Sequence, residues 1–318
     1  MLGYVVDELG SASIRSINPP KLRSFDVLVD VAACGVNFAD LLMIEGTYQE
    51  KHDRPFCPGM EISGVITAAG AQVKSLKVGD RVAGFPGHGG LAEQAVVEAE
   101  RCIRLPDSIP FDVAAAFQVA YGTSHLALSH KARLVAGETL LVLGAAGGVG
   151  LTAVELGKLM GAKVIAVVRG VEKHDAVRQA GADHVLDSES PDLRQQIKDL
   201  GGADVVYDPV GGELFNTALR ATNPDGRILV IGFASGTVPP IPANILLVKN
   251  ITVIGFYWSG YLKFAPKVIT DSLEQLLAWY SDGKLHLHIS HKLPLAQADQ
   301  ALALLRDRKS TGKVVVLP

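Results

Sequence analysis

The chain has 318 residues, with 30 basic against 33 acidic side chains and a formal charge of −3. That length accommodates two domains with separate cores, and the mixing of both signs along it leaves no basic stripe for a nucleic acid or a membrane surface. Three cysteines, Cys34, Cys57 and Cys102, supply neither a disulfide framework nor a C-x-x-C pair, which suits a reducing cytoplasm.

The first fifteen residues lack the basic start and long apolar core of a signal peptide. Apolar runs further on are strand-sized and interrupted by glycine or charge, so none is read as a membrane span. The first hundred residues read as β-rich: 25–35 and 61–70 are strand candidates, and Val78-Gly79-Asp80-Arg81-Val82 marks a tight turn. His88 lies in the glycine-rich stretch 87–90 and reads as part of a turn rather than as a base. From 112 to 128 the pattern turns helical, rich in alanine and leucine.

The most informative segment follows. An apolar run at 140–143 ends in Gly144-Ala145-Ala146-Gly147-Gly148-Val149-Gly150, after which come a helical pattern, Gly161 and a second apolar run at 164–168. Strand, glycine turn, helix and strand make a dinucleotide-binding βαβ unit, with the pyrophosphate expected at the helix N-terminus. Ala145 stands where the first glycine of G-x-G-x-x-G is usual, while Gly147 and Gly150 hold the other two positions. A carboxylate about twenty residues on would hold the ribose of NAD. Arg169 and Lys173 are found there instead, with Glu172 between them. Two cations suit a 2′-phosphate, so NADPH is expected over NADH.

Strand and helix then alternate: 163–168, 171–180, 184–187, 192–199, 204–208, 213–221, 227–232, and a sixth strand at 251–255. Such alternation predicts a parallel sheet with helices on both faces. The tail holds helical patterns at 269–280 and 296–306 and a last strand at 313–317. His286, His288 and His291 cluster ahead of it, but no cysteine or carboxylate nearby completes a metal set, and no metal is expected there.

The segments CGVNFADLLMIEGTY (34–48), PGMEISGVI (58–66) and KVGDRVAGF (77–85), followed by AYGTSHLAL, GAAGGVG, GADHV, YDPVGG, IPANILLVKN and GKVVV, are spread from end to end. On these motifs the chain resembles the medium-chain dehydrogenase/reductase superfamily, and more narrowly its zinc-free quinone oxidoreductases related to zeta-crystallin. The resemblance implies an α/β protein with a Rossmann doubly wound parallel sheet at 111–254. A β-rich GroES-like catalytic domain would be built from 1–110 and 255–318. It implies a homodimer paired through the apolar strand NITVIGFYW (250–258), whose edge would otherwise lie open.

Site residues follow from the same resemblance. Ala146, Gly147, Gly148, Val149 and Gly150 would seat the pyrophosphate and Arg169 and Lys173 the 2′-phosphate. Thr123 would face the nicotinamide and pyrophosphate. Val210, Gly211 and Phe233 lie at strand C-termini, where ligands bind in such sheets. Phe256 to Trp258 would offer backbone groups to the carboxamide and bulk to the substrate pocket. Asn37 would bond the nicotinamide ribose, although an asparagine after Gly35 also suits a turn. Tyr48 can donate a proton to a developing enolate or hydroquinone oxygen, or can simply line the site.

Departures from the family sharpen the expectation. Where zinc-dependent members carry a cysteine and a histidine that bind catalytic zinc, this chain has Asn37 and Met60, and the four-cysteine lobe of a structural zinc is missing, so no zinc is expected. Glu155 replaces a usual glutamine, Leu42 one of two active-site tyrosines, and Leu186-Asp187 stand where some relatives have a tyrosine near the 2′-phosphate. Without a Lewis acid, simple ketones are hard to reduce, whereas conjugation spreads the developing charge of quinones and enones. The expected reaction is therefore NADPH-dependent, zinc-independent reduction of quinones. Reduction of an enone or of an enoyl or acryloyl thioester is the near alternative. A non-catalytic, NADPH-binding structural protein is the reading from another class.

Overall fold

The computed structural model describes all 318 residues. Two compact units are present: Met1–Gln118 with Leu287–Pro318, and Val119–His286. Residues 111–118, expected with the parallel sheet, belong to the first unit, and the segment 255–286, expected with the β-rich domain, belongs to the second. Its residues follow the last strand of that unit's sheet and form helices before the chain returns.

In the first unit the strands are β1 (Leu2–Glu8), β2 (Ser11–Ser16), β3 (Asp26–Val36), β4 (Glu61–Ala69), β5 (Arg81–Gly84), β6 (Gln94–Glu98) and β7 (Cys102–Arg104). A short helix, α1 (Phe38–Ile44), follows β3, and α2 (Phe111–His125) runs across the change of unit. In the second unit six strands, β8 (Thr139–Leu143), β9 (Lys163–Val168), β10 (His184–Asp187), β11 (Ala203–Asp208), β12 (Thr222–Val230) and β13 (Thr252–Gly255), alternate with helices. These are α3 (Gly148–Leu159), α4 (His174–Gln179), α5 (Leu193–Asp199), α6 (Gly212–Ala221) and α7 (Ala243–Lys249). After β13 come α8 (Tyr261–Phe264) and α9 (Pro266–Ser281). The chain then adds β14 (Ile289–Pro294), α10 (Ala298–Arg306) and β15 (Lys313–Leu317) to the first unit.

The second unit's sheet has the order β10-β9-β8-β11-β12-β13, and every pairing in it is parallel. Strand succession reverses between β8 and β11, the switch point at whose strand C-termini ligands bind in such sheets. Helices on the faces account for the unbroken apolar runs: all five residues of β8 are buried, and Val164 to Val168 in β9. Leu141, Leu143, Ile165, Val167, Val206 and Ile228 share a core with Leu193 and Ile197 of α5 and Phe215 and Leu219 of α6. Each such fully buried side chain contributes about 1.5–3 kcal/mol.

The first unit's sheet runs β14-β15-β3-β4-β5-β7, with β6 also on β3. β3 is long enough, at 11 residues, to pair with β15, β4 and β6 along its length. Its C-terminal end leads directly into Asn37 and α1, and β4 begins at Glu61 opposite Gly35. That register brings Asn37 and Glu61 together.

Candidate active site

The glycine turn after β8 has the form that a dinucleotide phosphate requires. Gly144 takes φ +58°, a left-handed conformation that glycine adopts without penalty. The tight turn is therefore made one residue before the motif's usual first glycine, and Ala145 is under no such demand. A β-carbon on Gly150 would stand 2.2 Å from the Gly144 carbonyl oxygen and 2.9 Å from Ala145 Cα, so the first turn of α3 packs directly on the loop. Gly147 precedes α3 in an extended conformation, and no side chain caps the helix. The N–H groups of Gly148, Val149 and Gly150 therefore head a 12-residue helix without a side-chain acceptor, and with the helix dipole they favour an anion. These features fit a pyrophosphate.

The neighbouring strand end is built to match. β11 ends at Asp208, which is buried and whose carboxylate accepts from Val210 N–H at 2.7 Å and Gly211 N–H at 2.9 Å. Burial pushes its pKa up, and the two backbone donors oppose that rise. Asp208 thereby fixes the Val210–Gly211 loop. A β-carbon on Gly144 would lie 2.8 Å from Val210 Cγ2 and one on Gly211 3.0 Å from Phe233 Cδ1. Gly144, Val210, Gly211 and Phe233 are thus brought together at the switch point. Asp208 was not singled out from sequence, although a side chain bonding the backbone two and three residues on is the Asx-turn signal that Asp-Pro at 208–209 carries.

Thr123 lies buried in α2. Beside it Ser124 donates to the Val149 carbonyl at 2.9 Å and bonds Thr152 Oγ1 at 2.8 Å and Tyr207 Oη at 2.9 Å. This hydroxyl cluster ties α2, the head of α3 and β11 into one piece. The Trp258 indole lies against α2, with Nε1 2.7 Å from where a Gly122 β-carbon would stand. Phe256 and Trp258 are both buried. Glu155 is bonded by the Tyr121 hydroxyl and receives the backbone N–H of His286 at 2.6 Å. Burial and Glu155 together push the Tyr121 phenol well up. The carboxylate that replaces a glutamine here is committed to these contacts.

At the end of β9, Arg169 is exposed and ion-paired at 2.9 Å with Glu189, which lies beyond β10. Lys173 ends the short helical turn Val171–Lys173 just after it. The two expected phosphate-binding cations therefore occupy one βα connection.

In the first unit Asn37 is the N-cap of α1 and its backbone N–H donates to Asp40 at 2.7 Å. Its side chain is heavily used: Nδ2 donates to Glu61 at 3.0 Å and to the Gly35 carbonyl at 3.3 Å, and Oδ1 accepts from Lys313 Nζ at 2.7 Å. Lys313 and Glu61 form a buried ion pair at 2.8 Å, 2% and 0% exposed, and Nζ also reaches the Val36 carbonyl at 3.0 Å. With both amide hydrogens engaged, the Asn37 carboxamide has only acceptor capacity left, on Oδ1. Lys313 was missed in the sequence because a lysine opening a strand reads as solvated. Tyr48 is buried, and its backbone N–H bonds the Leu42 carbonyl at 3.1 Å.

Zinc does not fit the Asn37 and Met60 positions. An amide oxygen and a thioether are poor ligands for it, and the ammonium of Lys313 already sits on the Asn37 oxygen. The three tail histidines do not converge: His286 is exposed, His288 bonds Thr311 at 2.9 Å, and His291 bonds Ser290 at 3.0 Å. No group of three or more His, Cys, Asp or Glu side chains is arranged to hold a metal ion.

Comparison with known proteins adds a family context. Residues 23–107 match the alcohol dehydrogenase GroES-like domain, and residues 148–280 the zinc-binding dehydrogenase family. The chain is 42% identical over 318 residues to a quinone oxidoreductase-like protein 2 homolog of Nematostella vectensis, covering 98% of this chain and 87% of that protein. It is 39% identical over 307 residues to quinone oxidoreductase-like protein 2 of Bos taurus, covering 95% and 88%. Among solved structures, Escherichia coli quinone oxidoreductase complexed with NADPH superposes with a TM-score of 0.93 at 27% identity, with both chains covered in full (100%).

Proposed function

This chain belongs to the quinone oxidoreductase branch of the medium-chain dehydrogenase/reductase superfamily, and from that premise we propose that it reduces quinones with NADPH and without a metal. The observation that carries the reading is the buried Asn37–Glu61–Lys313 cluster. It fills with internal hydrogen bonds a position where a metal-dependent relative needs a ligand, which supports an acceptor whose own conjugation spreads the incoming charge.

When bound, NADPH supplies the hydride. The uncapped head of α3 holds the pyrophosphate, and Ser124 and Asp208 keep the two loops around it in register. Arg169 and Lys173 receive the 2′-phosphate as charge-assisted donors. Asn37, locked by Lys313 and Glu61, offers its oxygen to a ribose hydroxyl. Trp258 and Phe256 exclude water beside α2. Hydride transfer leaves the hydroquinone monoanion, which needs one proton. The phenol of Tyr48 donates a hydrogen bond or that proton to the oxygen where negative charge develops, and solvent then returns the proton to the phenolate. A homodimer joined along β13 belongs to the same reading.

The test is NADPH oxidation at saturating cofactor with 1,4-benzoquinone, 9,10-phenanthrenequinone, an alkyl enone and crotonyl-coenzyme A. Turnover is expected with both quinones, weaker turnover with the enone and little with the thioester. Thioester turnover exceeding quinone turnover by about tenfold, roughly 1.4 kcal/mol of transition-state preference, would reassign the protein to acyl-thioester reduction. Tight NADPH binding with no turnover on any acceptor would make it a non-catalytic binding protein.

A further inference from the structure

Two carboxylates flank the cations assigned to the 2′-phosphate. β9 and β10 pair in parallel with Asp187 opposite Val168, so Arg169 and Glu189 leave the sheet side by side. The turn that carries Glu189 is pinned by its backbone: Ser188 N–H donates to the Val168 carbonyl at 2.7 Å and Glu189 N–H to the Asp187 carboxylate at 2.9 Å. From that fixed base Glu189 Oε1 meets Arg169 Nη2 at 2.9 Å. On the other side Glu172 folds over Gly170, its two carboxylate oxygens 2.3 and 2.5 Å from where a β-carbon would stand. Arg169 and Lys173 are thus balanced by Glu172 and Glu189.

We infer that Glu189 is a cofactor-selectivity residue, which holds Arg169 when no 2′-phosphate is present and so limits the preference for NADPH over NADH. The inference rests on the reading that Arg169 receives the 2′-phosphate. A phosphate brought to Arg169 must displace Glu189 or share the guanidinium with it at the cost of like-charge repulsion. The 2′-hydroxyl of NADH makes no claim on Arg169, so the carboxylate weighs against the phosphorylated cofactor alone. Both side chains are more than half exposed, at 58% and 61%, so a displaced Glu189 is resolvated. The competition is therefore mild. An exposed pair of this kind sets a factor of about two to five. Glu189 tunes the site and does not block it.

Fluorescence titration of NADPH and NADH, with calorimetry of 2′,5′-ADP and 5′-AMP, would be run on the wild type, Glu189→Gln and Arg169→Ala. Glu189→Gln should tighten NADPH and 2′,5′-ADP about two- to fivefold and leave NADH and 5′-AMP unchanged. Unchanged or weaker NADPH binding in Glu189→Gln, or an equal gain for NADH, would overturn the inference. If Arg169→Ala still loses NADPH selectively, the phosphate reading survives that failure. Equal loss of NADPH and NADH in Arg169→Ala would overturn the phosphate reading itself.

Discussion

Asp40 is wholly buried, and its two oxygens accept from the backbone N–H groups of Asn37 and Gly59, at 2.7 and 2.8 Å. It therefore ties the start of α1 to the chain leading into β4 and holds Asn37 where Lys313 and Glu61 can lock it. Burial pushes its pKa up to about 6, against the two backbone donors and Lys313. The folded protein thus binds a proton at Asp40 more tightly than the unfolded chain, whose carboxyl titrates near 3.9. The stabilisation this gives is complete below about pH 4 and is lost as pH rises through about 6, on the order of 3 kcal/mol in all. Comparing urea unfolding of the wild type with Asp40→Asn across pH 4–7 isolates it from the other carboxylates. The stability advantage of the wild type over the variant should shrink over that interval. A difference independent of pH would show that Asp40 titrates normally in the fold.

The glycine turn and α3 act as one element, and their fit was partly legible from sequence. The apolar runs that became β9, β10 and β15 are bounded by charge, turn residues or glycine, and the expected spans match the observed strands at both ends. β14 was not anticipated, because ISHKLP lacks an apolar alternation and lies at the sheet edge, where pairing with β15 decides its conformation. α1 has only 7 residues and depends on Asn37 and Asp40 at its start, so its period is too short to read. β12 begins at Thr222, earlier than expected, since Pro224 and Gly226 mimic a loop. In the site, the glycine turn and the two cations were visible because their chemistry is local. The partners Lys313 and Glu189 were not, because strand neighbours far apart in sequence bring them in. The element's own test is Gly150→Ala. The added β-carbon would meet backbone at 2.2 Å, so the loop must shift away from the helix head. NADPH binding should weaken at least about tenfold, or roughly 1.4 kcal/mol, with a fall in Tm. Full retention of affinity would mean that the cofactor does not rest on this turn.

At the scale of the whole molecule, β13 is the terminal strand of its sheet and pairs only with β12. Just ahead of it in the chain Leu247 and Val248 of α7 are 78% and 76% exposed. An edge strand preceded by bare apolar side chains suits pairing with a second copy across a two-fold axis. Light scattering at micromolar concentration should return a dimer mass for the wild type and a monomer mass for Thr252→Lys, which places a charge at an exposed position of that strand. A wild-type monomer would refute the pairing.

The proposed reaction is reduction of a conjugated acceptor by NADPH at a site whose fixed cation is Lys313 rather than a metal. Its most direct measurement is the stoichiometry and rate of NADPH oxidation with 9,10-phenanthrenequinone before and after exhaustive treatment with a zinc chelator. One NADPH should be consumed per quinone reduced, at the same rate in the treated and untreated protein. Loss of turnover on chelation, restored by zinc, would contradict it.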